Sequence, residues 1–270
     1  MLLLIAACVA TPDDQNGRPT HPANDSGDGD VGDNNSDETA PSLAVPEWIS
    51  LPYVSVGDAR PSGVLTVQNV GNEAGEWRVT AEGEFSVRPA SVALAPGEFA
   101  EIVVEAAFST NAPTVASGVV TFEWGDTLTA GVSAVVGNPD LDGATWKTDD
   151  WGTYTILDLP SAPFPDGVAR YTDSSVLIAL PPTPSDDGEI GIVTHLHGHN
   201  ATVEEVVKDQ YLREQFAASG RNAVLIVPQG PVEAADSDFG KLDQAGGFSD
   251  LVLDVLAVLY RDQKVLRPEL

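Results

Sequence analysis

Three of the four histidines in the chain occupy alternate positions within one short segment, residues 189–200. They are His195, His197 and His199, and the segment ends at Asn200. In a continuous strand, alternate side chains lie on the same face, so the three imidazoles could bind a zinc ion or exchange protons near neutral pH. Any chemistry that this sequence encodes is therefore expected here.

A metal-dependent hydrolase that uses His195, His197 and His199 is the lesser of the possible interpretations. Zinc hydrolases of the metallo-β-lactamase type carry the pattern His-x-His-x-Asp-His. In this chain His199 and Asn200 stand where that pattern has Asp and His, so the pattern is broken. We therefore predict no metal ion and no other cofactor at this segment.

The elements around the histidines are typical of a sheet that contains parallel strands. An apolar run over residues 190–196 stops at Gly198, and apolar residues then recur at helical spacing between Thr202, a suitable N-cap, and Gly220. Further elements are predicted on the same grounds: strands over residues 151–157, 176–180 and 222–228, and a helix from Phe248 to Leu259. The histidines would then lie at the carboxyl end of a buried strand, where α/β sheets bind ligands.

Three stretches in this half of the chain resemble consecutive elements of α/β-hydrolases, namely Ile192–Asn200, Val224–Gly230 and Gly246–Leu259. They are similar to the oxyanion-loop strand, the next strand and the helix before the nucleophile strand, above all in secreted esterases of the polyhydroxybutyrate depolymerase and feruloyl esterase type. The resemblance spans about residues 170–270. It implies an α/β-hydrolase fold that acts on an ester substrate.

The same resemblance implies that His197, Gly198, His199 and Asn200 form an oxyanion loop. The backbone N–H of His199 would bind the oxyanion, a contact that typically contributes about 10²–10³ in rate. Gly198 would allow the backbone to approach the substrate, because it has no Cβ. His197 would hold the neighbouring loops through hydrogen bonds of its imidazole.

The nucleophile of such an enzyme is absent from the sequence. No Gly-x-Ser-x-Gly occurs, and Ser249 is expected in the first turn of a helix. We expect the nucleophile, acid and histidine of the triad beyond Leu270, so the chain is interpreted as an N-terminal fragment of a serine esterase, inactive as it stands. Whether it is an enzyme stays open. A further expectation is that the strand before Gly198 is an open, aggregation-prone edge.

Residues 46–137 alternate between apolar and polar positions in short runs separated by Pro and Gly, which is typical of an antiparallel β-sandwich. The region resembles the abnormal-spindle/hydin-type immunoglobulin-like domain in four stretches, Leu65–Gly71, Phe85–Pro89, Leu94–Glu98 and Ile102–Glu105. That resemblance implies a spacer or adhesion module. Asn69 and Gly71 are expected to take positive φ, and Pro96-Gly97 to form a type II turn.

The first residues, 1–8, are apolar and end at the only cysteine, Cys8. They resemble the end of a bacterial lipoprotein signal peptide, which implies a lipid anchor at Cys8 and a location in the cell envelope or outside the cell. Residues 9–45 are predicted to be a disordered acidic linker. With residues 138–270 as the second domain, the predicted fold is multidomain: an all-β immunoglobulin-like sandwich followed by the N-terminal half of an α/β-hydrolase sheet.

The overall charge limits the partners. A net charge of −28 and an isoelectric point near 4.1 argue against nucleic acid and anionic membrane surfaces, which are bound by basic patches. The single cysteine excludes an internal disulfide. The alternative to an esterase fragment is a non-catalytic, tethered surface lipoprotein whose immunoglobulin-like module binds a partner or acts as a spacer.

Overall fold

The computed structural model describes residues 40–141, 143–167, 171–184, 190–198, 200–232 and 238–265. Its first part is a two-sheet β-sandwich, and a smaller mixed sheet with three α-helices follows. The strands of the sandwich are β1 (Leu43–Ala44), β2 (Trp48–Ser50), β3 (Val54–Ser55), β4 (Ser62–Asn69), β5 (Gly75–Glu82), β6 (Phe85–Arg88), β7 (Ser91–Leu94), β8 (Phe99–Ala106), β9 (Thr114–Trp124) and β10 (Asp126–Gly137).

The sandwich consists of one sheet in the order β1-β4-β8-β6 and a second in the order β2-β10-β9-β5-β7, with β3 also paired to β10. Along β5 and β7 buried and exposed side chains alternate, because successive residues of a strand point to opposite faces. Leu65, Ile102 and Phe122 are fully buried between the two sheets. The prediction of an immunoglobulin-like β-sandwich in the middle of the chain is confirmed.

The turn before β8 has the predicted conformation. Gly97 has a φ of +80°, and the N–H of Glu98 donates to the carbonyl of Ala95 at 3.0 Å. A positive φ at the third residue, after Pro96, is what a type II turn requires.

The corner after β4 is stabilised differently from the prediction. Asn69 and Gly71 do not have positive φ. The buried Asn69 side chain accepts a hydrogen bond from the N–H of Gly71 at 3.0 Å and donates one to the carbonyl of Leu94 at 3.0 Å. Gly71 is needed because a Cβ there would collide with the backbone of Ala40 and Ser42.

The second part of the structure is a five-stranded sheet in the order β11-β12-β13-β15-β14. Its elements are β11 (Lys147–Asp149), β12 (Gly152–Asp158), β13 (Ser175–Leu180), β14 (Gly191–Thr194), α1 (Val203–Asp209), α2 (Leu212–Ala218), β15 (Ala223–Pro228), a short 3₁₀ helix (Gly240–Asp243) and α3 (Gly247–Arg261). Helix α3 packs on one face of the sheet, and α1 and α2 pack on the other. None of the described helices is long and apolar enough to cross a membrane.

The helical region after the histidine segment begins and ends as predicted but is divided in two. Thr202 caps α1 and forms a capping box with Glu205, and Gly220 follows α2 with a φ of +63°. Between the two helices, Tyr211 takes a left-handed conformation with a φ of +52°. That change of direction lets two short helices follow the same sheet face.

The prediction that residues 138–270 form half of an α/β-hydrolase sheet is wrong. Three of the four strand pairings in the five-stranded sheet are antiparallel, and only β14 and β15 are parallel. A parallel α/β sheet needs a helical crossover after nearly every strand. The described residues contain three α-helices, of 7, 7 and 15 residues, so the structure is predominantly β.

Candidate functional site at the end of strand β14

The histidine segment continues β14 along the edge of the mixed sheet. The N–H of His195 donates to the carbonyl of Ile226 at 2.9 Å, so the parallel ladder with β15 extends one residue beyond the strand. The chain then leaves the sheet at Leu196, which is 37% exposed. His195 and His197 therefore lie at the carboxyl end of a strand, as the sequence predicted.

His197 is buried and fixed by the neighbouring loop. Its Nε2 accepts a hydrogen bond from the N–H of Gly230 at 2.8 Å and lies 3.1 Å from the side-chain nitrogen of Gln229. Its Nδ1 lies 3.1 Å from the carbonyl oxygen of Gly198. Because Nε2 accepts, Nδ1 carries the proton and donates to that carbonyl, which defines a neutral tautomer. The imidazole therefore joins the end of β14 to the end of β15.

Gln229 completes this network, and sequence reasoning missed it. Its Oε1 accepts the N–H of Val203 at 2.9 Å, and its Nε2 donates to the carbonyl of Gly230 at 2.8 Å. The residue is buried and links the start of α1 to the loop that His197 holds. The available signal was a polar residue directly after a wholly apolar strand, where a buried amide needs several partners.

His195 differs from its neighbour in that it is half-buried. Burial lowers the pKa of His195 below its usual value. The neutral form of His195 is therefore favoured at neutral pH. A neutral imidazole has one N–H donor and one acceptor nitrogen, so His195 can both donate and accept a hydrogen bond.

His197 is not available as a ligand for a zinc ion. Both of its ring nitrogens already contact protein groups, and a lone pair that accepts the Gly230 N–H is not free for zinc. Within the described ranges, no group of three or more His, Cys, Asp and Glu residues is placed to hold a metal ion. His199 lies outside the described residues.

The oxyanion role of His197, Gly198, His199 and Asn200 stays a prediction. Asn200 has a left-handed φ of +58°, and its N–H donates to the carbonyl of Val232 at 2.7 Å. The proposed donor, His199, lies outside the described residues. Ser249 is exposed and lies near the start of α3, as expected for a helical residue.

Strand β14 is the edge of the five-stranded sheet. The N–H groups of Gly191 and His195 point toward β15, since they donate to Asn222 and Ile226. Backbone groups alternate in direction along a strand, so the N–H and C=O of Ile192 and Thr194 point away from the sheet. Among the described residues, no strand pairs with that side.

A second polar feature lies between the sandwich and the mixed sheet. It is a cleft of about 280 Å³ whose lining includes Asn138, Lys241, Asp250 and Asp254. Asp254 is buried and accepts the backbone N–H of Ser161 at 3.2 Å, and burial raises the pKa of its carboxyl group. The Nζ of Lys241 donates to the carbonyl oxygen of Pro160 at 2.7 Å, so the cleft contains one ammonium group beside the carboxyl groups of Asp250 and Asp254.

No protein-family model and no curated protein matches the chain. Part of it is similar to solved structures of immunoglobulin-like domains. The ASH/PapD-like domain 7 of human CEP192 shares 12% identity over 45% of this chain and 100% of that one, with a TM-score of 0.32. SSP-19, an MSP-domain protein of Caenorhabditis elegans, shares 18% identity over 31% and 92%, with a TM-score of 0.25. The E. coli chaperone DraB shares 11% over 44% and 70%, with a TM-score of 0.29.

The structure corrects the family expectation that was drawn from the sequence. The described structure is mostly strand, and its class is that of a predominantly β protein with an immunoglobulin-like sandwich. The assignment to secreted esterases of the polyhydroxybutyrate depolymerase and feruloyl esterase type is therefore wrong.

Proposed function

We propose that this protein is a non-catalytic binding protein of the cell envelope, in which the immunoglobulin-like sandwich is a rigid support for the mixed sheet. The observation that carries the proposal is the buried junction between the two parts. Helix α3 packs on the mixed sheet with one side and on β10 of the sandwich with the other. A sandwich that holds the mixed sheet in one orientation is suited to presenting that sheet to a binding partner.

The centre of the junction is Tyr260, near the end of α3. The residue is 4% exposed, and its hydroxyl donates to the carbonyl of Leu51 in the sandwich. The carbonyl oxygen of Ser133 lies 3.1 Å from the same hydroxyl. Burial raises the pKa of Tyr260 above its usual value, so the hydroxyl keeps its proton and stays a donor. Val135 and Ala257 are buried beside it.

Two polar contacts extend the junction along the segment between the sandwich and the mixed sheet. The indole N–H of Trp146 donates to the carboxylate of Asp262 at 2.8 Å. The guanidinium of Arg261 donates to the carbonyl of Leu141 at 3.1 Å. The connecting segment is thus fastened to the end of α3 and does not act as a free hinge.

The non-catalytic part of the proposal is supported by the state of the histidine segment. The imidazole of His197 is committed to hydrogen bonds with Gly230 and Gln229. The envelope location is supported by the lipoprotein-like residues 1–8 and by the acidic composition. Cys8 lies outside the described residues, and its lipid anchor is part of the proposal.

An esterase assay tests the proposal directly. We expect the purified chain to hydrolyse p-nitrophenyl esters no faster than buffer, because His197 is used in structural hydrogen bonds and these 270 residues contain no Gly-x-Ser-x-Gly. The Ser249→Ala variant is the matched control, and its rate should equal that of the unmodified chain. Hydrolysis above background that a serine-directed reagent abolishes would contradict the non-catalytic proposal.

A further inference from the structure

We propose that the open edge of β14 is the interface of a homodimer, in which β14 of two copies pair antiparallel about a two-fold axis at Thr194. The sheets of the two copies would join into one continuous sheet. Such a dimer goes beyond the proposed function, because it gives the edge of β14 a specific partner. It rests on the backbone and side chains of residues 190–196 and does not depend on the absence of catalysis.

The backbone of the edge needs a strand as its partner. Ile192 and Thr194 direct their N–H and C=O groups outward, as the bonds of Gly191 and His195 to β15 show. Since none of the described strands pairs with these groups, the edge is a template for another extended chain. In an antiparallel pair centred on Thr194, this residue and the partner's Thr194 would exchange two N–H···O=C bonds.

The side chains along the edge are incompletely covered. Ile190, Ile192 and Val193 are half-buried, whereas every residue of the adjacent strand β15 is buried. Ile190 and Ile192 pack toward the α3 side, and Val193 packs toward α1 and α2. Both faces of the sheet therefore have apolar surface at this edge, and an added strand that is apolar on successive residues would cover it. Strand β14 is itself such a strand.

The proposed register pairs the exposed apolar residues with each other. With Thr194 on the axis, Ile192 lies opposite the partner's Leu196, and Leu196 lies opposite the partner's Ile192. Leu196 is 37% exposed in the single chain. A two-fold axis perpendicular to the sheet keeps the α3 face of both copies on the same side, so opposed side chains meet on one face.

The same register supplies a partner for an unsatisfied hydroxyl. The Oγ1 of Thr194 is buried and has no hydrogen-bond partner among the described residues. A buried hydroxyl without a partner is destabilising. Thr–Thr pairs across neighbouring strands form hydrogen bonds, and rotation about χ1 would bring the hydroxyl of Thr194 toward the partner's Thr194.

Charge restricts where two copies of this chain can meet. Each copy has a net charge of −28, so close approach of most surfaces is opposed by repulsion. Residues 190–196 contain no carboxylate, and their one ionisable residue, His195, is held neutral by burial. A basic strand from another protein would also be attracted to an acidic molecule, and the experiment below separates the two.

The first test is sedimentation of the full chain carrying Cys8→Ser across micromolar concentrations. We expect a concentration-dependent dimer, and Leu196→Lys should weaken it about tenfold or more because the lysine charge blocks the edge. Leu128→Lys is the matched control, since Leu128 is also 37% exposed but lies on the sandwich. This control should dimerise normally, and thermal unfolding should show that both variants are folded.

The second test fixes the register. In the Cys8→Ser background, Thr194→Cys should form a disulfide-linked dimer under mild oxidation, because the two residues face each other. Leu196→Cys should not, because it lies opposite the partner's Ile192 and far from the partner's Leu196. A protein that stays monomeric, a dimer that is insensitive to Leu196→Lys, or equal cross-linking of the two cysteine variants would overturn the proposal.

Discussion

At the scale of single residues, the clearest electrostatic contact is the buried guanidinium of Arg213. It forms two hydrogen bonds to the carboxylate of Asp149, at 2.8 and 2.6 Å, and lies 3.6 Å above the ring of Tyr154. Bidentate pairing combined with a cation–π contact holds a planar guanidinium in a defined orientation. The contact ties α2 to the outer strands of the sheet, where each element alone buries little surface.

This ion pair predicts a pH-dependent contribution to stability. The hydrogen bonds from Arg213 lower the pKa of Asp149 below 3.8, its ordinary value. A lowered folded-state pKa stabilises the protein above the unfolded value, and the contribution is lost as the pH falls through the folded one. We expect Asp149→Asn to lower the free energy of unfolding by about 1 kcal/mol at pH 7, because solvent screens the carboxylate, whose side chain is 41% exposed.

Urea denaturation of the Asp149→Asn variant and the unmodified chain, at neutral pH and at a pH below the lowered pKa, measures this difference. It should shrink toward zero in acid, because the carboxyl group of the unmodified chain is then protonated. Asp150→Asn is the control, since Asp150 is an exposed neighbour. An equal loss of stability at both pH values would contradict the electrostatic explanation.

The histidine segment shows what can be predicted at the residue scale. The spacing of His195 and His197 at the end of an apolar run located them correctly at the end of β14. The partners of His197 were not predictable, because Gln229 and Gly230 follow a different strand and are brought near only by the pairing of β14 with β15. The alternation of side-chain direction along a strand also does not apply to His197, because this residue lies beyond the point where the chain leaves the sheet.

At the scale of elements, the short helices depend on their ends. Helix α1 has seven residues, too few to be stable by itself, and it is held by its capping box and by packing of Val203 and Val206. The N–H of Glu205 donates to the hydroxyl of Thr202 at 3.2 Å, and the carboxylate of Glu205 accepts the N–H of Thr202 at 3.0 Å. These bonds fix where the chain turns from β14 into the helical layer.

We therefore expect Thr202→Ala to lower the free energy of unfolding by about 1 kcal/mol, because the first turn loses its side-chain acceptor. Thr202→Ser keeps the hydroxyl and should cost much less. Chemical denaturation of the two variants measures the difference, and hydrogen exchange should show faster opening at the first turn of α1. Equal stability of the two variants would mean that packing alone holds this helix.

The apolar pattern of helix α3 predicts that the helix is amphipathic, but it does not predict both of its contacts. Its apolar spacing predicted an amphipathic helix, and Leu251, Val255 and Leu259 do face the mixed sheet. Ala257 and Tyr260 are buried as well, on a different side that contacts the sandwich. A helix between two layers has two buried sides. The spacing of its apolar residues shows that they are buried, but it does not show which layer each side contacts.

At the scale of the whole molecule, local sequence motifs predicted the sandwich correctly but did not predict the architecture of the mixed sheet that follows it. The alternation and turns of residues 46–137 fix a sandwich because both sheets bury one face. The stretches that resembled α/β-hydrolases specify single strands and helices. The fold class, in contrast, depends on how the strands pair. Three of the four pairings are antiparallel, and they join β11, β12, β13 and β15, so no single stretch of sequence reveals them.

The junction at Tyr260 determines whether the two parts of the molecule unfold together. In the structure its hydroxyl donates to Leu51 of the sandwich, and the ring fills the space between α3 and β10. Domains that share a buried interface unfold in one cooperative transition as long as the coupling exceeds the difference in their stabilities. The unmodified chain is therefore expected to show a single transition in scanning calorimetry.

Removing the side chain should uncouple the two parts. We expect Tyr260→Ala to divide the single calorimetric transition into two, because a buried aromatic lost from an interface costs about 3–5 kcal/mol and leaves each part to unfold alone. Tyr211→Ala is the matched control, since Tyr211 is 64% exposed and contributes nothing to the junction. If Tyr260→Ala still unfolds in one transition at an unchanged temperature, the sandwich and the mixed sheet are not mechanically coupled through α3, and the support role of the sandwich loses its physical basis.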